Sequence, residues 1–204
     1  MANRCLALLS KAENLAERWG LRERNTNFIR DIQKYEEVPR RRFLDTTELA
    51  RLGETLAKAE RGEVYGVSRS ALLAIRLLLQ TGCRKGEILD FRWDNVDLDH
   101  RRVILPDSKT GFKSLPINAP TADLLGRANR LPDNPYVITG TKPGRPLADL
   151  KKPWRRICEA AQLEELRIHD LRHTFGAMAA GSGQSLRMVG ALLGHRNERT
   201  TMRY

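Results

Sequence analysis

Two histidines and an arginine fall within six residues of the sequence, in the stretch HDLRHT at 169–174. On a helix, positions i, i+3 and i+4 lie on one face, so His169, Arg172 and His173 are predicted to share a face. A guanidinium offers a rigid fork of donors that matches two phosphate oxygens. The spacing therefore favours a site for an oxyanion, although each residue taken singly is more typical of packing or of a solvated surface.

A zinc site is the sharper alternative for the same stretch. His169 and His173 stand at i and i+4, which is a spacing that zinc ligands use. The glutamate of an HExxH motif is missing, however, and Arg172 between the two imidazoles would repel a cation. A zinc hydrolase remains only a distant alternative.

A phosphoryl-transfer site also needs a second cationic donor that is held rigidly. The stretch TGCRKGE at 81–87 follows an apolar helical segment, and its Thr-Gly pair breaks that helix. Arg84 then opens the next helical turn, and Glu87 lies three residues on, where it could orient the arginine. The alternative is a helix break with incidental charges.

Three further residues could complete such a site. Lys109 stands in DSKTG at 107–111, a turn from which a lysine could swing into a groove. His195 follows a Leu-Leu-Gly stop, and Tyr204 comes nine residues later. A phenol has a pKa of about 10, and surrounding cations would favour the reactive phenolate. Taken alone, Lys109 would be a solvated lysine and Tyr204 simply the last residue.

The charge of the chain indicates a polyanionic partner. Lysine and arginine number 36 against 25 acidic residues, which gives a formal net charge of +11. Nucleic acid is favoured over a membrane, because the richest apolar run, at 71–79, contains Arg76 and is far shorter than a span requires. The N-terminal apolar run is too short for a signal peptide. A merely basic, solvated surface is the alternative.

The three cysteines, Cys5, Cys83 and Cys158, are scattered and form no CxxC pair. This usage argues against a disulfide framework and fits a reducing cytosol. We expect a cytoplasmic protein associated with the nucleoid.

The N-terminal part is predicted to be separate from the rest. Residues 2–20 show the periodicity of an amphipathic helix, with Gly20 as its stop, and Pro39 and three consecutive arginines mark a linker. One helix cannot bury its own apolar face. It must belong to a larger domain or pack on the remaining chain.

The remainder is predicted to be a mostly helical α+β domain with a small antiparallel three-stranded sheet. Asp45 and Glu48 have the spacing of a capping box at a helix start. Further helical patterns cover 68–80, 120–130, 147–162, 169–180 and 185–194, and 198–204 could form one more short helix; strand signals cover 96–98, 101–105 and 113–117.

Taken in order, these motifs resemble the tyrosine recombinase family of the phage-integrase type. The set consists of TGxRxxE, a hairpin lysine, HxLRHT, LLGH and a tyrosine nine residues after that histidine. The resemblance implies a catalytic domain over 43–204, and residues 1–42 look like the C-terminal helix and linker of a core-binding domain.

The resemblance also implies a reaction. Members of the family cut one DNA strand with the tyrosine, form a 3′-phosphotyrosyl link and release a 5′-hydroxyl that attacks the link on a partner duplex. Tyr204 would be the nucleophile, Arg84 and Arg172 would bind the scissile phosphate, and Lys109 would protonate the 5′-oxygen. No cofactor or metal is required, because the covalent link retains the phosphodiester energy.

The remaining residues take supporting parts by the same resemblance. His169 would assist proton transfer from the tyrosine, and His195 would hydrogen-bond the phosphate. Glu87 matches a supporting acidic position, and His173 is assigned to packing. The implied partners are duplex DNA recombination sites, a homo-tetramer on DNA and accessory DNA-bending proteins.

Two other functions stay open at this stage: a DNA-binding fragment without catalysis, and a type IB topoisomerase-like relaxase. Most of a core-binding domain is missing from the sequence, and family members usually continue past the tyrosine. We therefore expect this chain to bind DNA but to form a covalent adduct more slowly than a chain extended past Tyr204.

Overall fold

A computed structural model describes residues 2–37, 42–108, 111–194 and 201, without the side chains of 107 and 108. The chain divides into two compact units, Met1–Arg40 and Arg41–Tyr204. Among the described residues, no helix is long and apolar enough to cross a membrane.

The first unit is built on helix α1, Ala2–Arg18, which ends close to the predicted stop at Gly20. The Asn27 side chain donates to the Ser10 carbonyl at 3.1 Å and to the Asn14 side chain at 2.9 Å, so it ties the following loop to α1. The loop then enters a short 3-10 helix. No residue of α1 is buried within the structure, and whether this unit is a core-binding remnant stays a prediction.

The described part of the second unit contains seven helices and three strands. The helices are α2 (Thr46–Glu60), α3 (Arg69–Thr81), α4 (Lys85–Leu89), α5 (Ala119–Gly126), α6 (Lys151–Ala160), α7 (Asp170–Gly181) and α8 (Leu186–Leu193). The strands are β1 (Val96–Asp97), β2 (Arg102–Ser108) and β3 (Gly111–Pro116).

Local sequence signals explain where the central helices begin. Asp45 caps α2 by accepting from the Glu48 backbone N–H at 2.8 Å, and the Glu48 carboxylate accepts in return from the Asp45 N–H. The predicted capping box is therefore confirmed. Ser68 caps α3 in the same way through the Ala71 N–H. Each cap satisfies a donor that a helix start leaves unpaired.

Helix α3 is the centre of the hydrophobic core. Seven of its thirteen residues are buried, and it contacts α2, α4, α5 and α7. Helix α2 packs on α6, and α7 packs on α8. The most apolar segment of the sequence thus becomes the support to which the neighbouring elements are fixed.

The three strands form an antiparallel sheet in the order β1-β2-β3. Val103 lies opposite Leu115, and Leu105 lies opposite Lys113, before the register shifts by one residue towards the hairpin end. These four residues are all buried, so they share the inner face of the sheet. The predicted mostly helical domain with a small antiparallel sheet is confirmed.

Several element bounds differ from the predictions. Helix α5 ends at Gly126 rather than near 130, and α6 begins at Lys151 rather than 147. Strand β2 continues to Ser108 and β3 begins at Gly111, so both strands reach into the predicted turn. The predicted helix over 198–204 lies outside the described residues, except for Thr201.

Candidate active site

The candidate site is organised by the sharp break between α3 and α4. Gly82 ends α3 in the left-handed conformation, at φ 61°, and its N–H donates to the Leu78 carbonyl. A Cβ at Gly82 would come within 2.5 Å of the Phe175 ring. Glycine is thus required both for the backbone conformation and for the close approach of α7. After Cys83, Arg84 is the N-cap residue of α4.

Arg84 is held by Glu87, as the spacing suggested. Its backbone N–H donates to Glu87 Oε2 at 2.9 Å, and its Nη1 donates to Glu87 Oε1 at 2.6 Å. The Glu87 side chain is only 7% exposed, whereas the Arg84 side chain is 26% exposed. A buried carboxylate therefore holds both the backbone and the guanidinium of an arginine whose side chain is still partly exposed to solvent.

The electrostatics of Glu87 match this role. Burial favours the neutral carboxyl, but hydrogen bonds from Arg84 and the charges of Lys113 and Arg84 hold the pKa of Glu87 below its ordinary value. The group therefore stays ionised at neutral pH and keeps its attraction for the guanidinium.

Arg172 is anchored more deeply. It is 4% exposed, and it donates from Nη1 to the Gly82 carbonyl and from Nη2 to the Leu193 carbonyl, each at 2.6 Å. These carbonyls end helices α3 and α8, where helix carbonyls have no intrahelical partner and carry partial negative charge. One guanidinium thereby joins both helix ends. Its contact at Gly82 lies two residues before Arg84 in the sequence.

The threonine of HDLRHT fixes helix α7 on the domain. Thr174 is fully buried; its hydroxyl donates to the Asp170 carbonyl at 2.9 Å and accepts from the Leu44 N–H at 3.0 Å. Asp170 accepts from the Arg167 N–H at 2.9 Å at the helix start. These bonds set the rotation of α7 and with it the direction of Arg172.

His169 and His173 lie together, as their spacing predicted. Their rings meet edge to face with centroids 5.2 Å apart. His169 is exposed at the first position before α7, while His173 is half-buried. Arg172 does not share their exposed face, since its guanidinium turns inward to the two helix ends. The inward direction of the Arg172 guanidinium was not predicted from this spacing.

Lys113 belongs to this cluster, and the sequence reading missed it. It lies on the inner face of β3 and is 9% exposed, and a Cβ added at Gly194, at the end of α8, would lie 3.4 Å from its Cε and Nζ. Its charge is among the groups that act on both Cys83 and Glu87. The sequence does contain a signal: Lys113, Leu115 and Ile117 alternate along the strand, which predicts that the lysine shares the inward-facing side with two apolar residues.

Lys109, His195 and Tyr204 lie outside the described residues. Thr201, three residues before Tyr204, is described and 2% exposed. A Cβ at Gly190 would come 2.9 Å from the Thr201 hydroxyl, so this threonine sits directly on α8. Within the described ranges, no group of three or more histidine, cysteine or acidic residues could hold a metal ion.

The chain belongs to the phage integrase family, whose model matches residues 42–204. The resemblance inferred from the motifs is therefore confirmed. One relative is a shufflon-specific DNA recombinase of Escherichia coli, which is 29% identical over 98% of this chain and 49% of its own length. A second is tyrosine recombinase XerA of Saccharolobus solfataricus, 31% identical over 65% of this chain and 44% of its own length.

The fold is also found in solved structures. The Tn1549 transposon integrase in complex with circular intermediate DNA superposes with a TM-score of 0.71 at 21% identity, covering 99% of this chain and 73% of that one. At this identity the likeness establishes the fold. The chain spans about half the length of the curated relatives named above.

Proposed function

We propose that the protein carries out site-specific DNA recombination by cutting and rejoining DNA strands through a 3′-phosphotyrosyl intermediate. The observation that carries this proposal is the pairing of two anchored arginines, Arg84 on Glu87 and Arg172 on two helix ends. Donors held in place before the reaction stabilise a developing oxyanion at no reorganisation cost. Family membership and the net charge of +11 support the same reaction.

In the cleavage step, Tyr204 is the nucleophile. Its phenolic oxygen attacks the scissile phosphorus, the bond from phosphorus to the 5′-oxygen breaks, and the phenolic proton passes to solvent with help from His169. Arg84 and Arg172 bind the non-bridging oxygens of the pentacovalent transition state, and His195 donates a hydrogen bond to the same phosphate. Lys109 gives a proton to the leaving 5′-oxygen.

In the rejoining step, the same chemistry runs in reverse on a new strand. A 5′-hydroxyl of the partner duplex attacks the phosphotyrosyl phosphorus and loses its proton, and the phenol leaves and regains one. One phosphodiester is exchanged for another, so the step needs no energy source. Glu87 supports Arg84 throughout, and His173 packs beside His169.

The proposed partners are duplex DNA sites, further copies of the protein and accessory DNA-bending proteins. A shufflon-specific recombinase is among the relatives, and a structural neighbour was solved on DNA. Exchange between two duplexes requires four cleavages, so a homo-tetramer on DNA is the simplest assembly. We place this reaction in the cytoplasm, at the nucleoid. Residues 1–42 would be the end of a core-binding domain, and 43–204 the catalytic domain.

A selection from random DNA tests the proposal and finds the unknown site at once. A pool of duplexes with a randomised segment and a nick close to its 3′ side is incubated with the protein in excess EDTA. The short piece released by cleavage diffuses away, so the adduct cannot reverse. Protein-linked DNA that survives denaturing washes is then amplified and sequenced.

We expect a covalent adduct that enriches a sequence motif and persists in EDTA. An adduct that enriches no motif, together with relaxation of a supercoiled plasmid in a parallel reaction, would indicate a topoisomerase-like relaxase instead. DNA retained only before the denaturing wash would indicate binding without catalysis. A strict need for a divalent ion would point to a metal-dependent hydrolase.

A further inference from the structure

We propose that Lys113 is an additional phosphate-binding residue of this site, distinct from the hairpin residue Lys109, and that its ammonium binds a non-bridging oxygen of the scissile phosphate. The inference rests on the proposed function. It starts from the position of one lysine on the inner face of the sheet, where the strand alternation calls for an apolar side chain.

The strand register gives Lys113 apolar neighbours. On β3 its exposed neighbours are Phe112 and Ser114, and Leu115 is the next inward residue, at 1% exposure. Across the sheet it lies opposite Leu105, which is 6% exposed. Directly opposed side chains in an antiparallel pair are in contact distance. The aliphatic part of the lysine side chain thus packs in the core, and the ammonium group is buried as well.

Among the residues that the structure describes, the buried ammonium of Lys113 has no hydrogen-bond partner. The residue is 9% exposed, so water gives little compensation. A buried ammonium without a hydrogen-bond partner is unfavourable, which is why such groups are normally paired. A buried lysine that lacks a partner among the described residues is suited to bind an anionic ligand.

The surroundings of the ammonium identify the charge of that ligand. A Cβ added at Gly194 would lie 3.4 Å from the Lys113 Nζ, and Gly194 follows Leu193, whose carbonyl accepts from Arg172. Its charge also acts on Cys83, the residue before Arg84, and on Glu87, which holds Arg84. The Lys113 ammonium therefore lies next to the α8 end that anchors Arg172 and is close enough to Glu87 to act on its charge.

An anion fits this arrangement better than a neutral ligand. Arg84, Arg172 and Lys113 are all held near the α3–α4 break and the end of α8, and Glu87 is the carboxylate that the structure pairs with Arg84. A phosphodiester carries one negative charge on two non-bridging oxygens. An ammonium is a point donor that can bind one such oxygen beside a guanidinium fork. A DNA phosphate at Arg84 and Arg172 would supply the missing partner of Lys113.

A purely structural role for Lys113 predicts different behaviour. The lysine could act through Glu87, by strengthening the field that keeps this carboxylate ionised and Arg84 in place. In that case its removal would matter only while Glu87 is charged. Direct binding of phosphate requires no carboxylate, so the two roles separate in a double-mutant cycle.

The first experiment measures binding of inorganic phosphate by calorimetry, which does not depend on activity. We compare the protein with Lys113→Met, Lys113→Arg and Lys152→Met, the last at an exposed lysine on α6. Lys113→Met should weaken binding about 10-fold or more, since a hydrogen bond to a charged group contributes about 1.5–3 kcal/mol. Lys113→Arg should bind within a few-fold of the parent, and Lys152→Met should be unchanged.

Urea unfolding of the same variants guards against a folding defect. Replacing an unpaired buried charge by an apolar side chain is often neutral or stabilising, so Lys113→Met should unfold at no lower urea concentration than the parent. If Lys113→Met does not fold, phosphate binding by the parent and by Lys113→Arg still tests whether a cation at position 113 binds phosphate. Absent phosphate binding by the parent would overturn the inference.

The double-mutant cycle uses Glu87→Gln. The loss caused by Lys113→Met should persist in the Glu87→Gln background. If it vanishes there, Lys113 acts through Glu87 and the inference is overturned.

Cleavage of a matched substrate gives a second, independent readout. A methylphosphonate at the scissile position replaces a non-bridging oxygen by a methyl group and removes the charge that Lys113 is proposed to bind. Lys113→Met should lower adduct formation on ordinary DNA by about 10²–10³, as for other oxyanion donors, but far less on the methylphosphonate. Equal losses on both substrates would contradict the inference. A parent that binds phosphate but never forms adduct would sink the proposed function alone.

Discussion

Glu87 accepts two hydrogen bonds from Arg84, one from the backbone N–H at 2.9 Å and one from Nη1 at 2.6 Å. The same carboxylate thus closes the first turn of α4 and aims the guanidinium that follows the α3 break. Because Glu87 is buried and Arg84 is partly exposed, Glu87 is the fixed member of the pair. Arg84 is the member that can contact a substrate.

The first prediction concerns this pair. Glu87→Gln keeps the shape of the side chain but removes its charge, so Arg84 should lose its fixed direction. Adduct formation should fall about 10-fold to 100-fold, since a charge-assisted hydrogen bond contributes about 1.5–3 kcal/mol. The control is Glu54→Gln, at an exposed glutamate on α2, which should cleave like the parent. Unchanged cleavage by Glu87→Gln would remove Glu87 from the support of Arg84.

The second prediction concerns the pH dependence of stability. The pKa of Glu87 is lowered in the folded protein, so its ionised form adds stability above the unfolded pKa of about 4.3. This contribution is lost as the pH falls through the folded pKa. The difference in unfolding free energy between the parent and Glu87→Gln should therefore shrink between pH 6 and pH 3. Urea unfolding measures it, and a difference that grows on acidification would be inconsistent with this account.

The third prediction separates the two arginines. Arg172→Ala leaves the Gly82 and Leu193 carbonyls without their donor, and a buried unpaired acceptor costs about 1–3 kcal/mol. Arg84→Ala removes a side chain that is 26% exposed, and Glu87 keeps the hydrogen bond from the backbone N–H of residue 84. Both variants should lower cleavage by about 10²–10³ or more, but Arg172→Ala should lose more unfolding free energy. Urea titrations give the ranking, and the reverse order would mean that Arg172 is not the structural link between α3 and α8.

Arg172 also marks the limit of prediction from the sequence. Its place on a helix and its affinity for a phosphate follow from local spacing and from the chemistry of a guanidinium. Its inward direction depends on Gly82 and Leu193, which lie 90 and 21 residues away. No local pattern encodes such contacts, so the inward direction of the guanidinium could not be predicted.

Other elements followed directly from local chemistry. The capping box of Asp45 and Glu48 and the α3 break at Gly82 were predicted because each depends on a few neighbouring residues. Lys113 was missed because an isolated lysine is usually solvated, whereas strand alternation here directs it inward. The longer β2 was missed because Asp107 and Ser108 are typical turn residues.

The fourth prediction concerns DNA affinity. With a net charge of +11, binding to random duplex should be dominated by contacts to the phosphate backbone. Raising the salt from 50 to 200 mM should weaken it steeply, to a dissociation constant on the order of 10⁻⁴–10⁻⁶ M at physiological salt. Fluorescence anisotropy of a labelled duplex measures this. Affinity that does not change with salt would exclude a basic surface that faces DNA.

The most direct test of the central claim is the covalent adduct formed by Tyr204. The parent and Tyr204→Phe are incubated with the nicked duplex recovered from the selection and compared on denaturing gels, each as this chain and as a version extended past residue 204. The two should bind the duplex alike, since one hydroxyl contributes little among many phosphate contacts. Only the parent should form an adduct. An adduct of the same yield from Tyr204→Phe would show that another residue attacks the phosphate and would contradict the account.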